Sequence, residues 1–330
     1  MPEQTLDTPQ DLALLRLGSL LRERGYRFVT PTPLTHQQVN QRAGNALAND
    51  LRDVFGWSRP FATGTLDEDI VALMEQAQVL QPHPQGWISR VRFSSLGEDL
   101  YVHSRFPTED SDAVFFGPDT YRFTRLLRDY LAHAEQPLRR IVDIGCGAGP
   151  GAITAAQLRP HAEVMALDIN PRALAMTCVN ARQAGVHNLR VQHSDLLRDV
   201  DGQFDLIVAN PPYMLDAQQR TYRHGGGKHG AGLSLAIFDT AMERLAPGGT
   251  LLLYTGVAIF AGEDPLLEAI RLSLRDTGWD WDYQEIDPDV FGEELQKPAY
   301  AEAERIACVA LRLTYQPGQP QRQEKAATNA

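Results

Sequence analysis

The sequence predicts an α/β protein with a doubly wound, mostly parallel, seven-stranded sheet and an antiparallel edge strand, preceded by a mainly helical N-terminal domain. Three observations predict it. From residue 140 onward, short apolar runs alternate with helical segments, the order of strands crossed over by helices. The first run ends in a glycine loop, Asp143-Ile144-Gly145-Cys146-Gly147-Ala148-Gly149. The last two runs are joined by a loop alone, so they are expected to pair antiparallel at the sheet edge.

Residues 1–110 are expected to form a substrate-orienting domain, 111–315 the α/β domain, and 316–330, rich in Gln, Pro and Ala, a disordered tail. Leucines at 12, 14, 15, 17, 20 and 21 make a helical stripe over Leu12 to Arg24. Thr35-His36-Gln37-Gln38 has a capping-box pattern and is expected to start a helix running towards Val54-Phe55. Thr65-Leu66-Asp67-Glu68 repeats that signal before Ile70. Pro82-His83-Pro84-Gln85-Gly86 breaks the chain, and Trp87 to Phe93 and Leu100 to Val102 follow as candidate strands. Helices followed by a hairpin have the order of a winged helix; the plainer alternative is a cap without DNA recognition. The strands of the sheet are placed at 140–144, 163–168, 189–193, 204–209, 249–255, 281–286 and 305–314.

Hydrophobic residues make up 43% and charged residues 22% of the 330, the balance of an ordinary globular protein. The longest apolar stretch, Leu251 to Ala261, is too short to cross a bilayer. Met1-Pro2-Glu3-Gln4 lacks the basic-then-apolar order of a secretory leader. Cys146, Cys178 and Cys308 have no metal-binding spacing, and their odd number argues against a disulfide framework. The expectation is a cytoplasmic protein with no metal and no membrane contact. The formal net charge is −11, and residues 1–110 carry 10 Arg against 14 Asp plus Glu. A protein that grips bare nucleic acid shows a basic face, so the sign leans towards a protein partner. Arginine's aptitude for bidentate phosphate contacts keeps a local patch open.

The glycine loop sits where a strand turns into a helix, with Pro150 at the helix start. Glycines admit tight turns and close ligand approach, and the helix end offers free N–H groups. Gly147-x-Gly149-x-x-Ala152 also fits a loose dinucleotide fingerprint. Asp168, 19 residues beyond Gly149, ends the second strand, where a carboxylate can accept both ribose hydroxyls; the alternative is a solvent-exposed cap of the helix from Pro171. Asp195 follows the third strand and is placed to accept from an adenine amino group, or to serve as a turn residue. Asn210-Pro211-Pro212-Tyr213 separates methyl transfer from hydride transfer. The Asn210 side-chain oxygen and the Pro211 carbonyl can bind both N–H groups of a planar nitrogen, and Tyr213 can stack on the planar group. Pro211 and Pro212 stiffen the turn.

The order Asp143-x-Gly145-x-Gly147-x-Gly149, Asp168, Asp195, Asn210-Pro211-Pro212-Tyr213 resembles the class I S-adenosylmethionine-dependent methyltransferases, whose sheet is Rossmann-like. It is most similar to the small-domain group that includes release-factor glutamine methyltransferases and rRNA and tRNA base methyltransferases. Phe116-Gly117-Pro118-Asp119-Thr120-Tyr121 resembles the segment that covers the cofactor in these enzymes, and Gly225 to Leu233 resembles their Gly-Gly-x-x-Gly-Leu stretch, with extra glycines and a Lys-His insertion. The resemblance covers about residues 110–315 and implies S-adenosylmethionine as cofactor. It implies a binding set of Asp143, Gly145, Cys146, Gly147, Gly149, Asp168, Ile169, Asp195, Leu196 and Asn210, with Asn210, Pro211, Pro212 and Tyr213 catalytic. Tyr121, His224, Lys228 and His229 are expected as substrate-loop residues. The acceptor it favours is a glutamine amide of a protein, such as a translation factor, over an exocyclic amine in RNA or DNA. Two other classes stay open: an idle methyltransferase fold acting as a binding module, and a dinucleotide oxidoreductase.

Overall fold

The structure is a computed structural model, described over residues 8–216, 222–227, 230–275 and 277–316. The tail expected to be disordered lies, from residue 317, outside the described residues, as do Lys228 and His229. A seven-stranded mixed sheet forms the frame. Its strands are β5 (Arg140–Ile144), β6 (Glu163–Asp168), β7 (Leu189–His193), β8 (Phe204–Ala209), β9 (Leu245–Ile259), β10 (Asp280–Asp287) and β11 (Arg305–Thr314). The order is β10-β11-β9-β8-β5-β6-β7. β6 runs parallel to β7 and β8 to β9, whereas β11 pairs antiparallel with both β9 and β10. The antiparallel edge is therefore as expected. The strand placed at 249–255 extends over Leu245–Ile259, because Gly256 continues the pairing instead of ending it, opposite Cys308.

By internal contacts the chain divides into two compact units. One comprises Met1–Pro137, Asp143–Val200 and Arg220–Tyr222; the other comprises Leu138–Val142, Asp201–Gln219 and Arg223–Ala330. In the first unit, α1 (Pro9–Glu23) starts where the Thr8 side chain accepts from the Asp11 N–H at 3.1 Å, with Pro9 at the first helical position. Its stripe of Ala13, Leu14, Leu17 and Leu21 is buried. Each fully buried leucine contributes about 1.5–3 kcal/mol of apolar burial. That stripe joins one core with Ile70 and Met74 of α4 (Glu68–Gln76) and with Ala173, Met176 and Val179 of α7 (Pro171–Gln183). Residues 1–110 thus share their core with helices of the α/β region.

Two local expectations are corrected. The helix expected from Thr35 to Phe55 is two helices. α2 (Pro33–Asn40) is capped by Thr32, with proline next, and stops ahead of Gly44, which has φ of 87°. α3 (Leu51–Phe55) starts again after the Asp50 cap. The strand expected over Trp87 to Phe93 is likewise split. β1 (Leu80–His83) pairs with β2 (Gly86–Ser89), and β3 (Val91–Leu96) pairs with β4 (Asp99–Ser104). The Pro82 to Gly86 break is the turn of the first hairpin, with Gly86 at φ of 126°. In the second unit, α8 (Gly232–Arg244) and α9 (Pro265–Leu274) flank β9. No helix among the described residues is long and apolar enough to cross a membrane.

Candidate active site

The glycine loop belongs to the first unit. Asp143, 2% exposed, accepts the Ala152 N–H at 2.8 Å through Oδ2. Burial pushes its carboxyl up to about 7 in spite of that bond, with the Asp168 charge adding. Gly145, Gly147 and Gly149 have φ of 73°, 57° and 84°, where a side chain would be strained. Gly145 and Cys146 donate to the Leu167 carbonyl at 2.8 and 2.9 Å, tying the loop to the end of β6. A Cβ on Gly145 or Gly147 would meet nothing within 4 Å, so these two face open space. On Gly149 it would lie 2.8 Å from Thr177 Cγ2, so that glycine serves the packing of α7. Cys146 is a packing thiol, buried beside Thr177 Oγ1 at 3.5 Å, and burial holds its pKa well above the ordinary value.

Asp168 ends β6, accepting the Gly147 N–H through Oδ2 and the Asn170 N–H through Oδ1, both at 2.9 Å. Burial raises its pKa, and these backbone bonds oppose the rise. A carboxylate has about four acceptor positions, so capacity remains for a diol. Next to it Ile169 is 49% exposed, an apolar surface suited to a flat base. Asp195 is exposed and paired with Arg198, and Leu196 turns the chain at φ of 55°.

A residue that holds the glycine loop escaped the sequence reading. Asn180 of α7, 1% exposed, accepts the Val102 N–H at 2.8 Å and donates to the carbonyls of Val102 (3.0 Å) and Ala148 (2.8 Å). It ties the glycine loop to β4. Its signal is an amide residue directly after the run Met176-Thr177-Cys178-Val179, easily passed over. Tyr121, on α5 (Pro118–His133), is half-buried and accepts the Thr30 N–H at 3.1 Å. Thr30 Oγ1 meets Ser94 Oγ, which bonds His103 Nε2 at 2.7 Å, and Arg92 donates to Thr30 at 3.3 Å. Burial lowers Arg92 to about 10; burial, with the Arg92 charge, keeps His103 neutral. Tyr121, expected as a substrate-loop residue, thus stands on α5 and is clamped to the N-terminal segment.

The second unit carries Asn210-Pro211-Pro212-Tyr213 directly after β8. Asn210 is half-buried, and no hydrogen bond among the described residues engages its side chain. Tyr213 is 7% exposed: its ring lies on Gly256, where a Cβ would fall 2.2 Å from Cε2, and stands edge-on to Phe291 at 6.1 Å. The ring expected to stack on the acceptor is thus largely a packing wall. The following residues are braced. Met214 donates to the Arg223 carbonyl at 3.1 Å and accepts from Gly225 at 2.9 Å. His224 Nδ1 accepts the Asp216 N–H at 3.2 Å, which makes this histidine a brace, with Nδ1 engaged. A Cβ on Gly225 would sit 2.7 Å from the Pro212 carbonyl oxygen, and one on Gly230 2.0 Å from that of Tyr213. These glycines exist so that one backbone can lie on the other.

Residues 112–259 match the family model of the methyltransferase small domain. Among curated proteins it is similar to the release factor glutamine methyltransferase of Deinococcus radiodurans, 32% identical over 57% of this chain and 66% of that one. The enzyme of the same name from Salmonella typhimurium is 36% identical over 40% of this chain and 51% of that one. Ribosomal RNA small subunit methyltransferase C of Shewanella amazonensis is 34% identical over 42% of this chain and 37% of that one. The chain spans between 37% and 66% of the length of these relatives.

Proposed function

We propose that this protein is an S-adenosylmethionine-dependent N-methyltransferase acting on a planar nitrogen, with a glutamine side-chain amide of a protein as the favoured acceptor. The observation that carries the reading is Asn210, whose side chain makes no hydrogen bond among the described residues, in a motif whose backbone is pinned by Gly225 and Gly230. The residues fit the cofactor. Gly145 and Gly147 leave open space beside the glycine loop, Asp168 keeps acceptor capacity for ribose hydroxyls, and Ile169 presents an apolar surface for the base. Asp195 retains an oxygen for the adenine amino group beside its pairing with Arg198. When bound, S-adenosylmethionine supplies an electrophilic methyl group on a sulfonium.

Asn210 Oδ1 and the Pro211 carbonyl take the two N–H groups of the acceptor, orient the nitrogen and favour the charge that builds on it. An N-methylated amide cation is strongly acidic and gives its proton to water, so no side-chain base is required. Asn210→Ala is expected to lower the transfer rate about 10²–10³-fold while cofactor affinity stays near that of the wild type. Unchanged turnover would sink the mechanism.

Two lines support a protein acceptor. Several relatives are named as acting on release factors. Arginines of the N-terminal segment are neutralised internally: Arg24 by Asp67 at 2.5 Å, Arg27 by Glu98, and Arg59 by Asp53 at 2.5 Å. The RNA-methylating relative favours the alternative, an exocyclic amine of a base. The deciding experiment incubates the protein and labelled S-adenosylmethionine with an extract of cells lacking the gene, then divides the product between protease and nuclease. Label lost to protease supports the amide; label lost to nuclease replaces it with a base.

A further inference from the structure

We infer that Phe291, in the connection between β10 and β11, is an acceptor-contact residue that selects flat acceptor groups beside Tyr213. The inference rests on the proposed methyl transfer and adds to it a residue that none of the motifs contains.

Phe291 adopts φ of 55° and ψ of 40°, the left-handed region. A bulky L-residue is strained there because its Cβ approaches the following carbonyl. Gly292 stands next in the chain and would take that conformation without strain, yet the position is held by phenylalanine. The ring is half-buried and meets the Tyr213 ring at 65°, 6.1 Å between centroids.

The surrounding contacts fix the backbone on both sides of that ring. On its N-terminal side Val290 donates to the Ile306 carbonyl of β11 at 2.7 Å. On its C-terminal side Glu294 donates its N–H to the Phe291 carbonyl at 2.8 Å. Glu294, 4% exposed, grips Arg223 at 2.5 Å and Lys297 at 2.6 Å. Burial alone would raise its pKa, but the bonds to Lys297 and Arg223 outweigh that and hold it below the usual carboxylate range. Arg223 in turn bonds Met214, the residue after Tyr213. Tyr300, 1% exposed, accepts the Leu215 N–H at 2.7 Å, closing the same link from the far end of the segment.

A strained backbone persists only where its surroundings over-determine it, and such places cluster at ligand-holding sites. Here the over-determination runs from Glu294, through Arg223, and from Tyr300 to Met214 and Leu215, the two residues that follow Tyr213. What it presents is a half-buried aromatic ring next to the motif that takes the acceptor nitrogen. An aromatic ring in that place suits a flat amide or a base edge, and it rewards an aliphatic amine far less.

The test uses the full chain and three readouts: thermal midpoint, S-adenosylhomocysteine affinity by calorimetry, and label transfer into extract at limiting and saturating amounts. Phe291→Gly relieves the strain, so its midpoint is expected to equal or exceed that of the wild type. Its S-adenosylhomocysteine affinity is expected within twofold of the wild type. Transfer should fall at least tenfold at limiting extract and less than threefold at saturating extract, and Phe291→Tyr, which keeps the ring, should restore most of it. A Phe291→Gly protein that transfers like the wild type at limiting extract overturns the inference and leaves the methyltransferase reading standing. A lower midpoint with parallel loss of S-adenosylhomocysteine binding also overturns it, because the ring would then be packing alone. A wild-type protein that transfers to no fraction removes the reading itself, and the inference with it.

Discussion

Asn180 offers the most direct test of how the glycine loop is held. In Asn180→Ala three bonds disappear at once, leaving the Val102 N–H, the Val102 carbonyl and the Ala148 carbonyl without their partner. Each buried polar group left unpaired costs about 1–3 kcal/mol. Water entering the vacated space offsets part of that, so the expected loss is about 3–5 kcal/mol. At about 2–4 °C per kcal/mol for large domains, the melting midpoint should fall by about 6–20 °C. Ala148 lies in the glycine loop itself, and its release is expected to weaken S-adenosylhomocysteine about tenfold, or 1.4 kcal/mol. Asn180→Asp separates geometry from hydrogen bonding. One carboxylate oxygen still accepts from Val102, but the other faces two carbonyls with no proton to share. Burial and that repulsion raise the folded pKa above the unfolded value of about 3.9. The variant should therefore be most stable below pH 4 and lose stability as pH rises through the raised folded pKa, ending at least as weak as Asn180→Ala. Urea unfolding across pH, with calorimetry for the ligand, measures both effects. An Asn180→Ala protein within 1 kcal/mol of wild type, binding S-adenosylhomocysteine normally, would refute the reasoning.

Two other variants probe the glycine loop of the first unit and the Asn210–Tyr213 turn of the second. Asp143→Asn keeps an acceptor for the Ala152 N–H and removes the ionisation that burial holds near pH 7. Wild-type stability should fall between about pH 4 and 7, since the folded state retains the proton longer than the unfolded one; the variant should escape that loss, by at most about 4 kcal/mol. Urea midpoints at pH 5 and 8 check it, and an advantage that does not grow with pH counts against it. Gly225→Ala places a methyl 2.0 Å from the Gly230 carbonyl oxygen and 2.7 Å from that of Pro212, both backbone atoms that cannot swing aside. Displacing the motif by about 1 Å is expected to cost about 10² in transfer rate, with S-adenosylhomocysteine affinity near that of the wild type; equal loss of both would show a global defect.

The sheet was legible because its central strands are short continuous apolar runs with punctuation at both ends. Ile141-Val142 stops at the glycine loop, and Leu206-Ile207-Val208 stops at Asn210-Pro211. Reading failed where a local signal had a stronger neighbour. Thr35 carries a capping-box pattern, but Thr32 followed by Pro33 starts the helix three residues earlier. β1 escaped because Leu80-Gln81-Pro82-His83 contains a proline and does not alternate in burial, as suits a strand in a two-stranded hairpin. Asn180, Glu294 and Tyr300 escaped for a different reason. Asn180 and Tyr300 matter through partners 78 and 85 residues away, and no periodicity in the chain encodes such distances. A residue with a chemical signature can be read from sequence alone; one that holds a loop in place through a distant partner cannot.

The glycines make the same point in reverse. Sequence treats Gly145, Gly147, Gly149, Gly225, Gly230 and Gly256 alike, as permission for the backbone to come close to something. The structure divides them by what occupies the place of the missing Cβ. At 145 and 147 it is open space, which is what a ligand-facing glycine needs; at 149 it is a threonine, at 225 and 230 backbone, and at 256 the Tyr213 ring. Gly225, Gly230 and Gly256 therefore pack against Pro212 and Tyr213, and the first two brace the backbone of the Asn210–Tyr213 turn. If so, what distinguishes one acceptor from another must come from elsewhere in the second unit. Phe291, whose segment is tied down through Glu294 and Tyr300, is a bulky residue there held in the left-handed region beside the Tyr213 ring.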